Sequence, residues 1–313
     1  MAKPKLLMMG AYAAWDMDDL EVNYDVLKLW EAADRDAFVR SHGGDVRAIA
    51  TRGELGASAD VMGKLPKLEI VACYGVGTDA IDLGYARSKG IRVTNTPDVL
   101  TADVADMGIA LLLAVARQIP RGDAYVRDGS WAKANMDLVT RVNGKKAGIV
   151  GMGRIGSTVA KRLAGFDCDI AYFGVNKRAD LPYTFVADLV ELARRSEFLI
   201  VTLAGGDRTK GMINARVLDG LGPDGILVNI SRGSTVDETA LLDALTNKRI
   251  KGAGLDVFWN EPNIDQRFKA LDNVVLQPHH ASGTVETRKA MGKLVRDNLK
   301  AHFFGAALIT PVV

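Results

Sequence analysis

The sequence predicts an α/β protein made of two doubly wound parallel-sheet domains, and three observations lead there. Short apolar runs alternate with helical patterns along most of the chain, as strand–helix–strand units require. In the second half those runs are apolar almost throughout, which suits strands covered by helices on both faces. The 313 residues suggest two domains at roughly 150 residues each.

The elements follow in order. The first strand is read at Leu6–Met9, within a buried stretch Lys5–Gly10. Lys3 and Lys5 before it and Ala11-Tyr12-Ala13 after it mimic a short secretory signal. The apolar stretch is at the lower edge of the ~7–15 residues such a signal needs, so a strand is the better reading. Further strands are expected at Val46–Ala50, Ile70–Ala72 and Ile91–Val93, with helical patterns such as Arg35–His42 and Asp82–Lys89 between them. One long helix is expected over Thr101–Arg127. Its Leu111, Leu112, Val115 and Ala116 recur on one side, as in a core helix or a subunit interface. A second strand series runs Ala147–Val150, Asp169–Phe173, Phe198–Thr202, Ile226–Asn229, Gly252–Asp256 and Val274–Gln277. The last helix is expected over Val285–Phe304, with Thr284 as N-cap and Glu286 in its first turn. If that helix returns to the first sheet, the second domain is an insertion into the first.

Composition narrows the function. Apolar residues are 48% and charged residues 25%, ordinary for a globular protein. Forty Lys and Arg against 38 Asp and Glu leave a net charge of +2, too balanced for a general nucleic-acid or membrane-surface protein. The longest uncharged apolar run, Met107–Ala116, spans half of the ~20 residues a bilayer demands. Two cysteines, Cys73 and Cys168, make no disulfide framework and fit a reducing, cytoplasmic setting. No HExxH or zinc-spaced Cys/His cluster is present, so no metal is expected.

The first chemical signal is Gly151-Met152-Gly153-Arg154-Ile155-Gly156, between the strand ending at Val150 and the helical pattern Arg154–Ala164. Gly151 permits the turn, Gly153 lets the backbone approach a pyrophosphate, and Gly156 allows close helix–sheet packing. The helix start then offers free N–H groups to the phosphates, which makes Arg154 and Ile155 cofactor candidates. An NAD site usually has Asp or Glu ~20 residues on, at the end of the next strand. After Asp169–Phe173 comes Gly174-Val175-Asn176-Lys177-Arg178 instead, with Asp180 beyond the turn. Asn176, Lys177 and Arg178 suit a 2′-phosphate, so NADPH is expected over NADH.

Three further stretches follow strand ends of the second series, where open α/β sheets bind ligands. They are Asn229-Ile230-Ser231-Arg232-Gly233, Asp256 to Glu261-Pro262, and Pro278-His279-His280-Ala281-Ser282. Arg232 can fork a carboxylate or polarise a carbonyl; its bland alternative is a structural bond to loop carbonyls. The chain has four histidines, two of them adjacent here. In extended chain neighbours point to opposite sides, so one is expected in the site and the other packed or solvated. Spacing does not choose between His279 and His280.

With these stretches the chain resembles the D-isomer-specific 2-hydroxyacid dehydrogenases. The glycine motif, Asn-Ile-Ser-Arg-Gly, Leu-Asp-Val-Phe with Glu-Pro, and Pro-His with Ala-Ser stand in that family's order. Cys73-Tyr74-Gly75-Val76-Gly77-Thr78-Asp79 and Asn95 to Thr101 match as well. The nearest subgroup by this resemblance is the NADPH-linked glyoxylate and hydroxypyruvate reductases. The resemblance implies a Rossmann-type nucleotide domain, residues 97–283, inserted into a flavodoxin-like substrate domain of residues 1–96 and 284–313, with the cleft between them. It implies a homodimer built largely on the long helix after Thr101. It makes His279 the acid–base residue, Glu261 its carboxylate partner and Arg232 the substrate-orienting cation. The N–H groups of Val76 and Gly77 would receive the substrate carboxylate. Asp256 and Ser282 would lie near the nicotinamide, and Thr209 and Ile230 complete the cofactor candidates. Where the family often has a Pro-containing loop, this chain has Leu203 to Thr209, and Gly283 replaces a commoner small residue.

The implied reaction is hydride transfer to the carbonyl carbon of a small 2-keto acid, with a proton from His279 to its oxygen and Arg232 stabilising the developing charge. Reduction should then weaken as rising pH takes the proton from the imidazole. The same family scaffold serves bulkier keto acids, of the 2-ketogluconate or phenylpyruvate type, and cofactor-sensing corepressors. A corepressor or a phosphoglycerate dehydrogenase would be expected to carry additional segments. Formate dehydrogenase chemistry needs no proton donor. Thr51, Arg52, Leu100 and Trp131 are candidates for the substrate pocket.

Overall fold

The computed structural model describes residues 2–313 and divides into two compact units. One comprises the chain through Leu100 together with Gly283–Val313; the other is Thr101–Ser282.

The first unit begins with β1 (Lys5–Met8), α1 (Ala14–Asn23), β2 (Asp25–Lys28) and α2 (Arg35–His42). It continues through β3 (Val46–Arg52), α3 (Ala59–Gly63), β4 (Ile70–Tyr74), α4 (Leu83–Ser88) and β5 (Arg92–Thr94). Its sheet is ordered β2-β1-β3-β4-β5, parallel throughout. That is the flavodoxin-like order, with its switch point between β1 and β3. Leu6, Ile49, Ile70 and Val71 are buried in its core. Strand β2 was not expected: it lies at the sheet edge with Asp25 exposed, and an edge strand needs no apolar run. Asp34, Ser58 and Asp82 each accept an N–H in the first turn of the helix they precede, which fixes where α2, α3 and α4 start.

The C-terminal helix, Val285–Phe303, belongs to this unit. Thr284 caps it, accepting from Thr287 N at 3.2 Å. Its Arg296 pairs with Asp16 of α1, whose side chain is fully buried. Gly292 leaves room for this pair, because a Cβ there would collide with the Asp16 carboxylate. Removing one partner of such a pair strands the other charge, at a cost of roughly 3–5 kcal/mol.

The second unit contains α5 (Thr101–Ala116), α6 (Ile119–Arg127), β6 (Lys146–Val150), α7 (Arg154–Ala164), β7 (Asp169–Phe173) and β8 (Thr184–Phe185). After them come α8 (Leu189–Arg194), β9 (Phe198–Val201), α9 (Ala215–Leu221), β10 (Ile226–Asn229), α10 (Glu238–Thr246), β11 (Gly252–Leu255) and β12 (Val274–Leu276). The sheet order is β12-β11-β10-β9-β6-β7-β8, again parallel. This is the Rossmann order with one added strand, and the switch point lies between β6 and β9.

The single long helix expected over Thr101–Arg127 is two helices. Gln118 is left-handed, at φ 49°, and Pro120 sits in the first turn of α6. Proline has no N–H and crowds the preceding turn, so it suits a helix start and not an interior. The two pieces also differ in burial. Val104, Ala105, Gly108, Ile109, Leu111, Leu112 and Ala116 of α5 are buried, whereas α6 has no buried residue. Helix α5 packs close on β11 because Gly254 has no side chain: a Cβ there would lie 2.8 Å from that of Leu111. Among the described residues no helix is long and apolar enough to cross a membrane.

Candidate active site

The glycine turn follows β6 on the switch-point side of the sheet. Gly151 has φ 101°, which side chains rarely adopt, and donates its N–H to Phe173 O at 2.9 Å. Its carbonyl accepts the Thr202 hydroxyl at 2.5 Å. A Cβ on Gly156 would collide with that same Gly151 carbonyl, so α7 approaches the turn only through glycine. Gly153 is the N-cap of α7, has no capping side chain, and faces open space where a Cβ would stand. An uncapped helix start behind an open glycine is a fit for a dinucleotide's phosphates. The N–H groups at Arg154 and Ile155 open that helix. The Ser157 hydroxyl one turn later is buried without a partner among the described residues.

The turn after β7 corrects one expectation. Asp180, read from the sequence as lying beyond the turn, is drawn into it. Arg178 donates Nε to Asp180 Oδ1 at 2.8 Å and Nη2 to Oδ2 at 2.5 Å. Its Nη1 donates to Met152 O, inside the glycine motif, at 3.2 Å. The Arg178 main-chain N–H donates to the hydroxyl of buried Tyr172 at 2.6 Å. Arg178 is therefore fixed beside the nucleotide turn. Asn176 and Lys177 are exposed next to it.

Arg232 stands on the loop after β10, and that loop is tightly bonded. Buried Asn229 donates Nδ2 to Arg232 O at 3.0 Å, and its Oδ1 accepts Ser231 N at 3.1 Å and Ser231 Oγ at 2.9 Å. The Thr235 hydroxyl donates to Arg232 O at 2.7 Å. The Arg232 guanidinium donates Nη1 to Ser231 O at 2.9 Å. Gly233 is in contact with the main chain of Phe258, where any Cβ would collide. Contact at this glycine brings the arginine loop against the loop that carries Glu261.

Glu261 and His279 meet. His279 Nδ1 and Glu261 Oε2 are 2.6 Å apart, and Glu261 Oε1 accepts Phe258 N at 2.7 Å. Burial pushes the Glu261 carboxyl up. The His279 hydrogen bond and charge, the Phe258 N–H and the Arg232 charge outweigh it and hold the group below the ordinary glutamate range. The carboxylate thus sees both His279 and Arg232.

His279 has φ 51°, so the chain here is not extended, and the alternation argument for the two histidines does not hold as framed. Their environments differ all the same: His279 is half-buried against Glu261 and His280 is exposed. Asp256 makes the turn. Its buried carboxylate accepts His280 N at 2.7 Å and Ala281 N at 3.0 Å, and its carbonyl accepts His279 N at 2.8 Å. Burial raises the Asp256 pKa, against the two backbone donors that lower it.

Other candidates have less room to act. The Ile230 side chain is buried, and a Cβ on Gly108 of α5 would lie 2.8 Å from its Cδ1. The Thr209 hydroxyl has two acceptors in its own loop, Ala204 O at 2.8 Å and Gly206 O at 3.0 Å. Ser282 is half-buried. In the first unit, Val76 and Gly77 follow β4. The Val76 carbonyl accepts Asn95 Nδ2 at 2.9 Å and the Gly77 carbonyl accepts Cys73 Sγ at 3.5 Å, while neither N–H has an acceptor among the described residues. Leu100 is buried. So is Thr51, whose hydroxyl donates to Gly56 O at 2.6 Å. Arg52 pairs with Glu54 at 2.6 Å, and Trp131 is exposed.

Sequence reasoning missed the groups that hold the site in shape: Asn229, Thr235, Thr202, Tyr172 and Asp180. Only Asn229 carried a signal, by its place in the Asn-Ile-Ser-Arg-Gly stretch. Thr202 acts on a residue 51 positions away, and Thr235, Tyr172 and Asp180 act within turns whose geometry the spacing does not show.

With this geometry in view, comparison with known proteins is informative. Residues 109–281 match the family model of the D-isomer specific 2-hydroxyacid dehydrogenase NAD binding domain. The chain is 44% identical over 308 residues to glyoxylate/hydroxypyruvate reductase A of Arabidopsis thaliana, covering 98% of both. It is 47% identical over 309 residues to hydroxyphenylpyruvate reductase of Plectranthus scutellarioides, covering 98% of both. Among solved structures, the NADPH-dependent glyoxylate/hydroxypyruvate reductase of Sinorhizobium meliloti, in complex with NADP and malonate, superposes with a TM-score of 0.93. It shares 42% identity, with 100% of this chain and 97% of that one covered. A glycine turn built for a dinucleotide, a paired histidine and glutamate, and relatives matched along nearly the whole length lead to one assignment: the chain belongs to the D-isomer specific 2-hydroxyacid dehydrogenase family and is an oxidoreductase with an NAD(P)-binding domain.

Proposed function

We propose that the chain reduces small 2-keto acids, glyoxylate and hydroxypyruvate among them, to 2-hydroxy acids, with NADPH preferred over NADH. The observation that carries this reading is the His279–Glu261 hydrogen bond, with the Arg232 charge acting on the same carboxylate. When bound, the cofactor supplies a hydride for the carbonyl carbon. Gly151, Gly153 and Gly156 shape its turn, the N–H groups of Arg154 and Ile155 face its phosphates, and Asn176, Lys177 and Arg178 meet the ribose 2′ position. Met152 and Tyr172 hold Arg178 in place for that contact.

Each catalytic side chain has one task. His279, protonated and held by Glu261, gives its proton to the carbonyl oxygen as that oxygen gains charge. Arg232 orients the keto acid and stabilises the developing charge. The amides of Val76 and Gly77, with their own carbonyls already occupied, donate to the substrate carboxylate. Asp256 keeps the 279–281 turn in shape. One keto acid, one reduced cofactor and one proton give one hydroxy acid and one oxidised cofactor.

The proposal includes a cytoplasmic enzyme that works as a homodimer. The second reading is a bulkier keto acid, favoured by the identity to the Plectranthus hydroxyphenylpyruvate reductase. A panel of 2-keto acids of increasing bulk, followed by NADPH and NADH absorbance, separates the two. Turnover confined to the bulkiest members would sink the small-substrate reading. His279→Ala is expected to lower turnover by at least ~100-fold, and near-normal turnover would remove His279 from its role.

A further inference from the structure

We infer that Asp180 is a specificity-determining residue: it occupies the Arg178 fork that a 2′-phosphate would take, and so limits how strongly this chain prefers NADPH over NADH. The inference rests on the proposed reading that residues 176–178 meet the ribose 2′ position.

The argument is one of partners. Three anchors hold Arg178: the Tyr172 hydroxyl on its main-chain N–H, Met152 O on Nη1, and the Asp180 carboxylate on Nε and Nη2. The first two tie it to a buried ring and to the glycine turn, and both partners are neutral. The third is the exchangeable one. A guanidinium fork fits a carboxylate and a phosphate in the same bidentate way. Asp180 thus holds the contact a 2′-phosphate needs. The pair is open to water, with side chains 43% and 62% exposed, and exposed pairs are weak. A phosphate dianion can displace Asp180, but it does so against a carboxylate that remains two residues away. A plain ribose hydroxyl has no such competition to meet. Asp180 also cancels one of the two positive charges that Lys177 and Arg178 bring to the turn.

The test is the dissociation constant of NADPH and of NADH, read by fluorescence titration at fixed ionic strength, in the wild type, Asp180→Asn, Arg178→Ala and the double variant. Asp180→Asn is expected to raise the NADPH-to-NADH affinity ratio about five-fold, and Arg178→Ala to lower it about ten-fold. In the Arg178→Ala background the Asp180 change should move the ratio less than about two-fold, because no fork remains to contest. If Arg178→Ala lowers the ratio and Asp180→Asn leaves it unchanged or lowers it, the competition is overturned while the 2′-phosphate reading stands. If Asp180→Asn acts equally with and without Arg178, the exchange at the fork is likewise overturned. If Arg178→Ala leaves the ratio unchanged, the 2′-phosphate reading itself falls.

Discussion

At the scale of single residues, the site is governed by what surrounds two carboxylates. Asp256 is buried and its pKa is raised, yet two backbone N–H groups spend its oxygens on the His279–Ala281 turn. Glu261 is held below its ordinary range although burial opposes this. A depressed carboxylate has a definite sign in stability. Between its folded value and the ordinary glutamate value near ~4.3, the unfolded chain binds the extra proton. The stability it contributes is therefore present above the unfolded value and lost as pH falls through the folded one. Glu261→Gln should flatten the acid limb of a melting-temperature profile below the ordinary glutamate value near ~4.3. Parallel profiles for variant and wild type would contradict the pairing. His279 needed the structure for a further reason. Its φ of 51° is a conformation a bulky residue adopts rarely, and here Asp256 and Gln277 accept from its N–H.

At the scale of elements, the glycines decide where helices and loops approach one another. Gly156 brings α7 to the Gly151 carbonyl, and Gly233 brings the arginine loop to Phe258. Gly156→Ala must push α7 off the turn, so cofactor affinity is expected to fall at least ~10-fold, with a loss of about 1–3 kcal/mol in stability from the overpacked contact. Titration of NADPH and a denaturant melt check the two effects; unchanged affinity would mean the α7 start does not face the phosphates. The elements of both sheets were legible because buried parallel strands read as apolar runs. The exceptions follow from the same physics. Edge strand β2 and the short β8 bury too little to show a run. The break at Gln118 was missed because the residues flanking Pro120 continue a helical pattern that the proline itself interrupts.

At the scale of the whole molecule, the ends of the chain build one unit and its middle builds the other. We propose that the dimer surface includes the second piece of the broken helix. Helix α5 spends its apolar residues inside its own unit, whereas Ile119, Val126, Trp131 and Leu138 in and after α6 are exposed. Scattered exposed apolar residues are ordinary, but four within one short stretch suit an interface. The wild type is expected to sediment as a dimer, and Ile119→Lys with Val126→Lys to shift it toward monomer. A monomeric wild type at micromolar concentration would refute this.

The sequence by itself determined the class of fold, most of the strand series and the nucleotide turn, and its family resemblance pointed to Arg232, Glu261 and His279. The fold, the strands and the turn are written in hydrophobic period and glycine spacing, which are local properties. Only the tertiary structure decided that His279 and not His280 meets Glu261, that Asp180 closes on Arg178, and that α5 is buried where α6 is bare. The first and the last turn on a backbone angle or on contacts between distant segments, and the second on side-chain directions within a turn, none of which residue spacing encodes.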